Sequence, residues 1–338
     1  MTHLSFNVSG KLMLSGEWNI LTPGRTCLTL PTKGMCVSIT KAKEICITSA
    51  AYKLDRYIIQ PQTHHQTPSQ LFLNKLILSI IEQFSLFEID IKPFHITLEN
   101  DPCTYILNNG VTHKLGVGSS ACAAVGITKA IALLHNKPLT TKTLFNTAMT
   151  AHRKAQGNMG SGFDIAAAAS GSSIMYTSAK NTDHNDYVIE PVLLPPNWYF
   201  AVGFSGTSAS TTQLIQLFNR AKENHLQKIE SLLVQIEDIV QALKQTIKEN
   251  NFDESFSLLQ RNHLLLHKLS SLCDNALETS ALTTMINIAT SCGAAAKFSG
   301  AGGGDCVIAL CPNEQIKQKV YRAWTAAGFP PADNLLLV

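Results

Sequence analysis

Three glycine-rich segments hold the residues whose types and spacing could do chemistry. In the first, Lys114-Leu-Gly-Val-Gly-Ser-Ser-Ala121, two glycines precede the paired hydroxyls of Ser119 and Ser120, and the chain then turns apolar. Such a loop suits an anion. Glycine lets the backbone approach phosphate oxygens, the first-turn N–H groups of a helix donate to them, and the helix dipole adds positive potential. The second segment, Gly157-Asn-Met-Gly-Ser-Gly-Phe-Asp-Ile-Ala-Ala-Ala-Ala169, sets Asp164 among small apolar residues after residues 122 to 163, which contain no Asp or Glu. A carboxylate in such a place either needs a cation, for which Lys11 and Lys114 are candidates, or caps the helix beginning at Ile165. The third, Phe298-Ser-Gly-Ala-Gly-Gly-Gly-Asp-Cys-Val-Ile-Ala-Leu310, has four glycines in five residues ahead of an apolar strand. That loop reads as close approach to a ligand or as a surface turn.

Taken singly, the first segment leaves alternatives open. Gly116-x-Gly118-x-x-Ala121 also fits a dinucleotide fingerprint, although the acid expected about 20 residues on falls in the acid-free stretch. A small-residue helix start can also serve tight packing alone. The chain has no G-x-x-x-x-G-K-[ST], H-R-D or D-F-G pattern, so a nucleoside triphosphate would need a different cradle.

The elements that must position these segments are mixed. Met35-Cys-Val-Ser-Ile-Thr40 and Glu44-Ile-Cys-Ile-Thr48 are β-rich runs whose short charged connection predicts a hairpin. Apolar spacing predicts a helix over 71–84, a strand over 94–98 and a turn around Asn108-Asn-Gly110. A helix opens at Ser119, and another over 139–156 is closed by Gly157. After Pro195-Pro196 come a strand over 198–203 and a long helix with a stripe of Leu226, Ile229, Leu233, Ile236, Val240, Leu243 and Ile247, read as core packing. The change of pattern at these prolines predicts domains 1–194 and 195–338, as the length of 338 residues favours.

Charged residues are 15% and hydrophobic residues 45% of the chain, a globular composition. The 27 basic and 24 acidic residues form no blocks of one sign, which argues against nucleic acid as a partner. With no targeting signal or long apolar run, no membrane partner and a cytoplasmic location are expected. Nine cysteines without a C-x-x-C pair read as buried thiols rather than a thiolate zinc site.

In order and spacing the three segments resemble the motifs of the GHMP kinases. Gly10-Lys-Leu-Met-Leu-Ser-Gly-Glu-Trp-Asn-Ile-Leu21 fits their N-terminal lysine segment, Leu115 to Ala121 their ATP loop, and Ser299 to Asp305 their C-terminal glycine loop. The stretch from Ala151 to Ala168, and Ser299 to Cys306, look like the phosphomevalonate kinase versions. Gly203-Phe-Ser-Gly-Thr-Ser-Ala-Ser-Thr-Thr212 resembles the hydroxyl-rich segment that opens the second domain. The resemblance spans residues 10 to 310.

It implies an α+β GHMP kinase-like two-domain fold, N-terminal ribosomal protein S5-like and C-terminal ferredoxin-like. It also implies Lys11 and Asp164 as a catalytic pair, with Lys114, Gly116, Val117, Gly118, Ser119, Ser120 and Ala121 around ATP. Ser120 would face Mg²⁺. Glu17, Ser161, Gly162, Ser208, Ala301, Gly302 and Gly303 would bind the acceptor, expected to be 5-phosphomevalonate. Mevalonate kinase and diphosphomevalonate decarboxylase share the loop and stay open as alternatives, as does, from another class, a dinucleotide-dependent oxidoreductase. A monomer or homodimer is expected. The chain departs from the pattern at Trp18, where mevalonate and galactose kinases usually carry His, at Ser9 in place of proline, and at Cys122 where Ser is frequent.

Overall fold

The computed structural model describes residues 3–60, 66–99, 103–106, 112–157, 160–180, 186–333 and 335–337. The expected turn at 108–110 lies outside them. The chain forms two compact units, the first from Met1–Lys11, Lys33–Cys103 and Val117–Gly171, the second from Leu12–Thr32, Thr104–Gly116 and Ser172–Val338. The division expected at 194 is a single cut, whereas these units interleave along the chain. Strands β1 (His3–Ser15) and β2 (Thr26–Lys41) each contribute to both.

In the first unit, β3 (Cys46–Ser49), β4 (Leu54–Ile58) and β5 (Phe94–Glu99) form a sheet with the second half of β2, in the order β4-β3-β5-β2. The predicted hairpin of β2 with β3 is therefore absent, because β5 lies between them, antiparallel to β2 and parallel to β3. Phe94, Ile96 and Leu98 of β5 are at most 1% exposed. A strand that apolar gains more from a central position than from an edge, and four residues suffice to step across it. Helix α1 (Pro68–Leu86) covers the predicted 71–84, extended at its start by a capping box between Thr67 and Gln70. Helix α2 (Ser119–Leu134) is buried on nearly all sides, as its run of alanines requires. Helix α3 (Thr141–Gln156) starts on the Thr140 hydroxyl and stops at Gly157, whose φ of 76° is the left-handed cap read from the sequence. Helix α4 (Phe163–Ser170) packs with α2 and α3.

In the second unit, β6 (Thr104–Ile106) and β7 (Thr112–Lys114) pair with each other, while β8 (Ile174–Thr177) and β9 (Val188–Pro191) extend from the first half of β2. Strand β10 (Tyr199–Phe204) begins a second layer with α5 (Thr211–Asn224), α6 (Leu226–Lys248), α7 (Phe252–Leu272), α8 (Ser280–Cys292), β11 (Ala295–Phe298), β12 (Cys306–Cys311) and α9 (Glu314–Ala326). Its antiparallel sheet has the order β10-β12-β11, and the outer edge of β10 is bridged by Pro331 at Gly203. The α6 stripe is core: Ile229, Leu233, Ile236, Val240, Leu243 and Ile247 are at most 2% exposed, and only Leu226 at its start is open to solvent. All nine cysteines are thiols, and all but Cys36 are buried. Among the described residues no helix is long and apolar enough to cross a membrane.

Candidate active site

In the first unit, β1 delivers Lys11 to the start of α2. The Lys11 amide donates to the Val117 carbonyl at 2.9 Å, which pins the strand to the loop. Gly118 then takes a φ of 84° and begins α2 with no side chain to cap it. A Cβ placed on Gly118 would lie 3.6 Å from Lys11 Cε and 3.7 Å from Asp164 Cβ, so the ammonium stem and the carboxylate stem flank the same glycine. Lys11 is 8% exposed, and its Nζ sits 5.3 Å from the centre of the Phe163 ring. Asp164 does not cap α4, since Gly162 occupies that position. It stands in the first turn and accepts from the Ile165 amide at 2.9 Å, where the helix dipole favours a negative charge.

Ser119 and Ser120 open α2, and Ala121 is buried behind them. The Ser120 hydroxyl lies 3.3 Å from Nε2 of His152, a buried α3 residue with the Phe72 ring edge-on to it. Burial pushes the His152 pKa down, with Asp164 pulling it weakly the other way, so the ring is neutral at pH 7 and orients the hydroxyl. Ser161 and Gly162 lead into Asp164 from the same turn. The departures at Ser9 and Cys122 meet each other: the Cys122 thiol donates to the Ser9 carbonyl at 3.4 Å.

A separate cluster occupies the second unit. The Lys114 carbonyl accepts from the Ser208 hydroxyl at 2.9 Å, and the Lys114 side chain is exposed. Gly116 has a φ of 71°, and a Cβ there would come within 2.4 Å of Asp305 Oδ2, so only glycine fits against that carboxylate. Asp305 also ties the hydroxyl-rich segment to the glycine loop. Its amide donates to the Thr207 carbonyl at 2.8 Å, and its Oδ1 accepts from the Ala209 amide at 3.2 Å. Ala301, Gly302 and Gly303 follow Ser299, whose hydroxyl accepts from the Met13 amide at 2.8 Å. Glu17 is 1% exposed and is paired with Lys297, itself 1% exposed. The structure thus brings Lys11, Gly118, Ser120 and Asp164 together in one unit, and Lys114, Gly116, Ser208 and the glycine loop together in the other.

Residues 75–172 match the description "GHMP kinases N terminal domain" and residues 239–330 match "GHMP kinases C terminal". The chain belongs to the GHMP kinase family. It is 26% identical over 329 residues to a phosphomevalonate kinase of Saccharolobus solfataricus, covering 96% of this chain and 94% of that one. To a mevalonate kinase of Thermococcus onnurineus it is 30% identical over 237 residues, 66% of each chain. Its fold matches that of Streptococcus pneumoniae phosphomevalonate kinase, solved with phosphomevalonate and AMPPNP, with a TM-score of 0.83, 22% identity, and coverage of 100% of this chain and 99% of that one.

As a GHMP kinase the chain is a phosphotransferase, and the glycine-rich start of α2 carries N–H groups that no side chain caps. Three residues escaped the sequence reading. His152 behind Ser120 lies within the stretch from Ala151 to Ala168 but carries no spacing signal. Asp305 was part of the third motif, yet its contact with Gly116 joins positions far apart in sequence. Lys297 is a lone lysine in an apolar strand, a pattern that could have flagged a buried ion pair.

Proposed function

We propose that this GHMP kinase transfers the γ-phosphoryl group of ATP to the phosphate of 5-phosphomevalonate, giving 5-diphosphomevalonate and ADP. The observation that carries the chemistry is the flanking of Gly118 by Lys11 and Asp164 at an uncapped helix start. The choice of acceptor is supported by the Saccharolobus relative, whose likeness runs nearly end to end, while the mevalonate kinase likeness covers two thirds. Trp18 supports the same choice. It is 4% exposed, stacks on Phe218 at 4.7 Å, and fills the position where the resemblance puts a histidine in mevalonate kinases.

Several anionic groups must converge in this reaction, so charge repulsion is the main obstacle. The α2 amides and Lys11 offset it by donating to oxygens on which charge accumulates. The acceptor phosphate, with a second pKa of about 6, is already mostly dianionic at pH 7 and needs no strong base. Asp164 then acts as a positioning group for Lys11 rather than as the proton acceptor. Mg²⁺ binds nucleotide phosphates with few protein ligands, and the Ser120 hydroxyl, oriented by His152, suits that demand for a hard oxygen. When bound, the ion would screen the phosphate charges.

Coupled ADP release measured with mevalonate, 5-phosphomevalonate and 5-diphosphomevalonate in turn tests the proposal. The second should give the highest kcat/KM, and preference for either of the others overturns the acceptor assignment. Asp164→Asn and Lys11→Met should each lose about 10²-fold or more in kcat with ATP binding little changed. Near-wild-type turnover in either variant removes that residue from the site.

A further inference from the structure

The second unit contains a cluster that the phosphotransfer reading does not use. His263 and His267 stand four residues apart on α7 and so share one face of the helix. Glu278, which immediately precedes the turn into α8, reaches the same point. His263 Nε2 lies 3.3 Å from Glu278 Oε2, and His267 Nδ1 lies 3.3 Å from Oε1. One ligand atom from each of the three falls within 4.8 Å of the others.

Three features distinguish this from a surface ion pair. The Glu278 side chain is 1% exposed. It is held from behind: its amide donates to the Ser270 hydroxyl at 2.8 Å, and the Thr283 hydroxyl donates to Oε1 at 3.1 Å. Its Oε2 nevertheless makes no hydrogen bond, because the His263 ring nitrogen bonds to Oε1 instead, at 3.4 Å. The carboxylate thus keeps a buried oxygen with no hydrogen bond beside two imidazoles, and an unsatisfied buried acceptor of this kind calls for a ligand.

We propose that His263, His267 and Glu278 form a binding site for a zinc-class divalent cation, with a fourth position open to water. Two imidazoles and one carboxylate are the donor set that such ions prefer, whereas Mg²⁺ selects oxygen alone. In a tetrahedral site with arms of about 2.0–2.1 Å, neighbouring ligand atoms are about 3.3 Å apart, close to the 3.4 and 3.3 Å that His263 Nε2 and His267 Nδ1 keep from the one oxygen Glu278 Oε1. The Thr283 contact supplies the outer support that ligating carboxylates need.

The site has a structural consequence within its own unit. Leu277, next to Glu278, accepts from the Gly303 amide at 2.7 Å, and a Cβ on Gly302 would lie 2.0 Å from the same carbonyl. The glycine loop therefore rests on the residue beside the ligand. A cation joining α7 to Glu278 would fix that support.

Isothermal titration of the chelator-treated full chain, without an added histidine tag, with Zn²⁺ tests the proposal. One equivalent should bind, excess Mg²⁺ should not compete, and His267→Ala and Glu278→Gln should each weaken binding at least about tenfold. His267 is 54% exposed at its side chain, so its replacement leaves the fold intact even if that of Glu278 does not. Failure to bind Zn²⁺, or an unchanged isotherm in the His267→Ala variant, overturns the site whatever the outcome for phosphotransfer.

Discussion

Replacing Lys297 by methionine removes one charge of an ion pair that has no access to water. The side chains of Lys297 and Glu17 are 1% and 0% exposed, and Lys297 Nζ also donates to the Met13 carbonyl at 3.3 Å. Burial drives both groups toward their neutral forms, raising the Glu17 pKa and lowering that of Lys297, and their mutual attraction only partly offsets it. Lys297→Met keeps the length of the stem but strands the Glu17 carboxylate, whose Oε2 already has no partner. Leaving one member of a buried pair uncompensated costs about 3–5 kcal/mol. In a cooperative unit of roughly 200 residues each kcal/mol moves Tm by about 2–4 °C, so a fall on the order of 10 °C is expected by calorimetry. Glu17→Met should be comparably damaging, and the double variant should recover to within about 2 kcal/mol of wild type, because no lone charge remains. Additive losses in the double variant, or a loss below about 1 kcal/mol in Lys297→Met, would refute the argument.

Three further outcomes follow from contacts described above. Gly116→Ala should destabilise by about 1–3 kcal/mol through left-handed strain and the approach to Asp305, and Asp305→Gly should relieve part of it in urea titrations; a fully stable single variant contradicts the contact. Because burial lowers the His152 pKa, the unfolded chain takes up that proton first, and stability should fall as pH drops below about 6.5; His152→Gln should flatten that part of the profile, and an unchanged profile refutes the assignment. Glu237 is raised by burial but held lower overall by its bonds to Thr26, Gln241 and Asn19, so its stabilisation is present above the ordinary glutamate pKa of about 4.3 and lost as pH falls through the folded value. Glu237→Gln should therefore cost stability at pH 7 and little in acid, and a gap that persists in acid denaturation curves would contradict this.

Much of the local structure was legible because its causes are local. Gly157 ends α3, Thr67 and Gln70 start α1, and the three- and four-residue spacing of α6 marks its buried face. What failed was pairing at a distance. The run 35–40 and the run 44–48 look like a hairpin until Phe94, Ile96 and Leu98, some fifty residues on, compete for the same edge. The change of pattern at Pro195 is equally local and carries no trace of residues 12–32 packing with the C-terminal segments. For the site, residue chemistry identified the glycine loop and an Asp164 in need of a partner, but it offered Lys11 and Lys114 alike. Only the resemblance selected Lys11, and the shared flank of Gly118 is what brings the two together in space. His152, Lys297 and the His263, His267 and Glu278 cluster are lone side chains whose meaning appears only beside their neighbours.

The interleaving of the two units has a consequence for synthesis. The segments of the first are all present once Gly171 has been made, whereas residues 12–32 belong with segments that follow it. Thr32 bridges Leu336, and the Pro31 carbonyl accepts from the Leu337 amide at 3.0 Å. Strand β2 must therefore wait until residues 336 and 337 exist before this neighbour can form, and a nascent chain halted before them holds an unfinished edge.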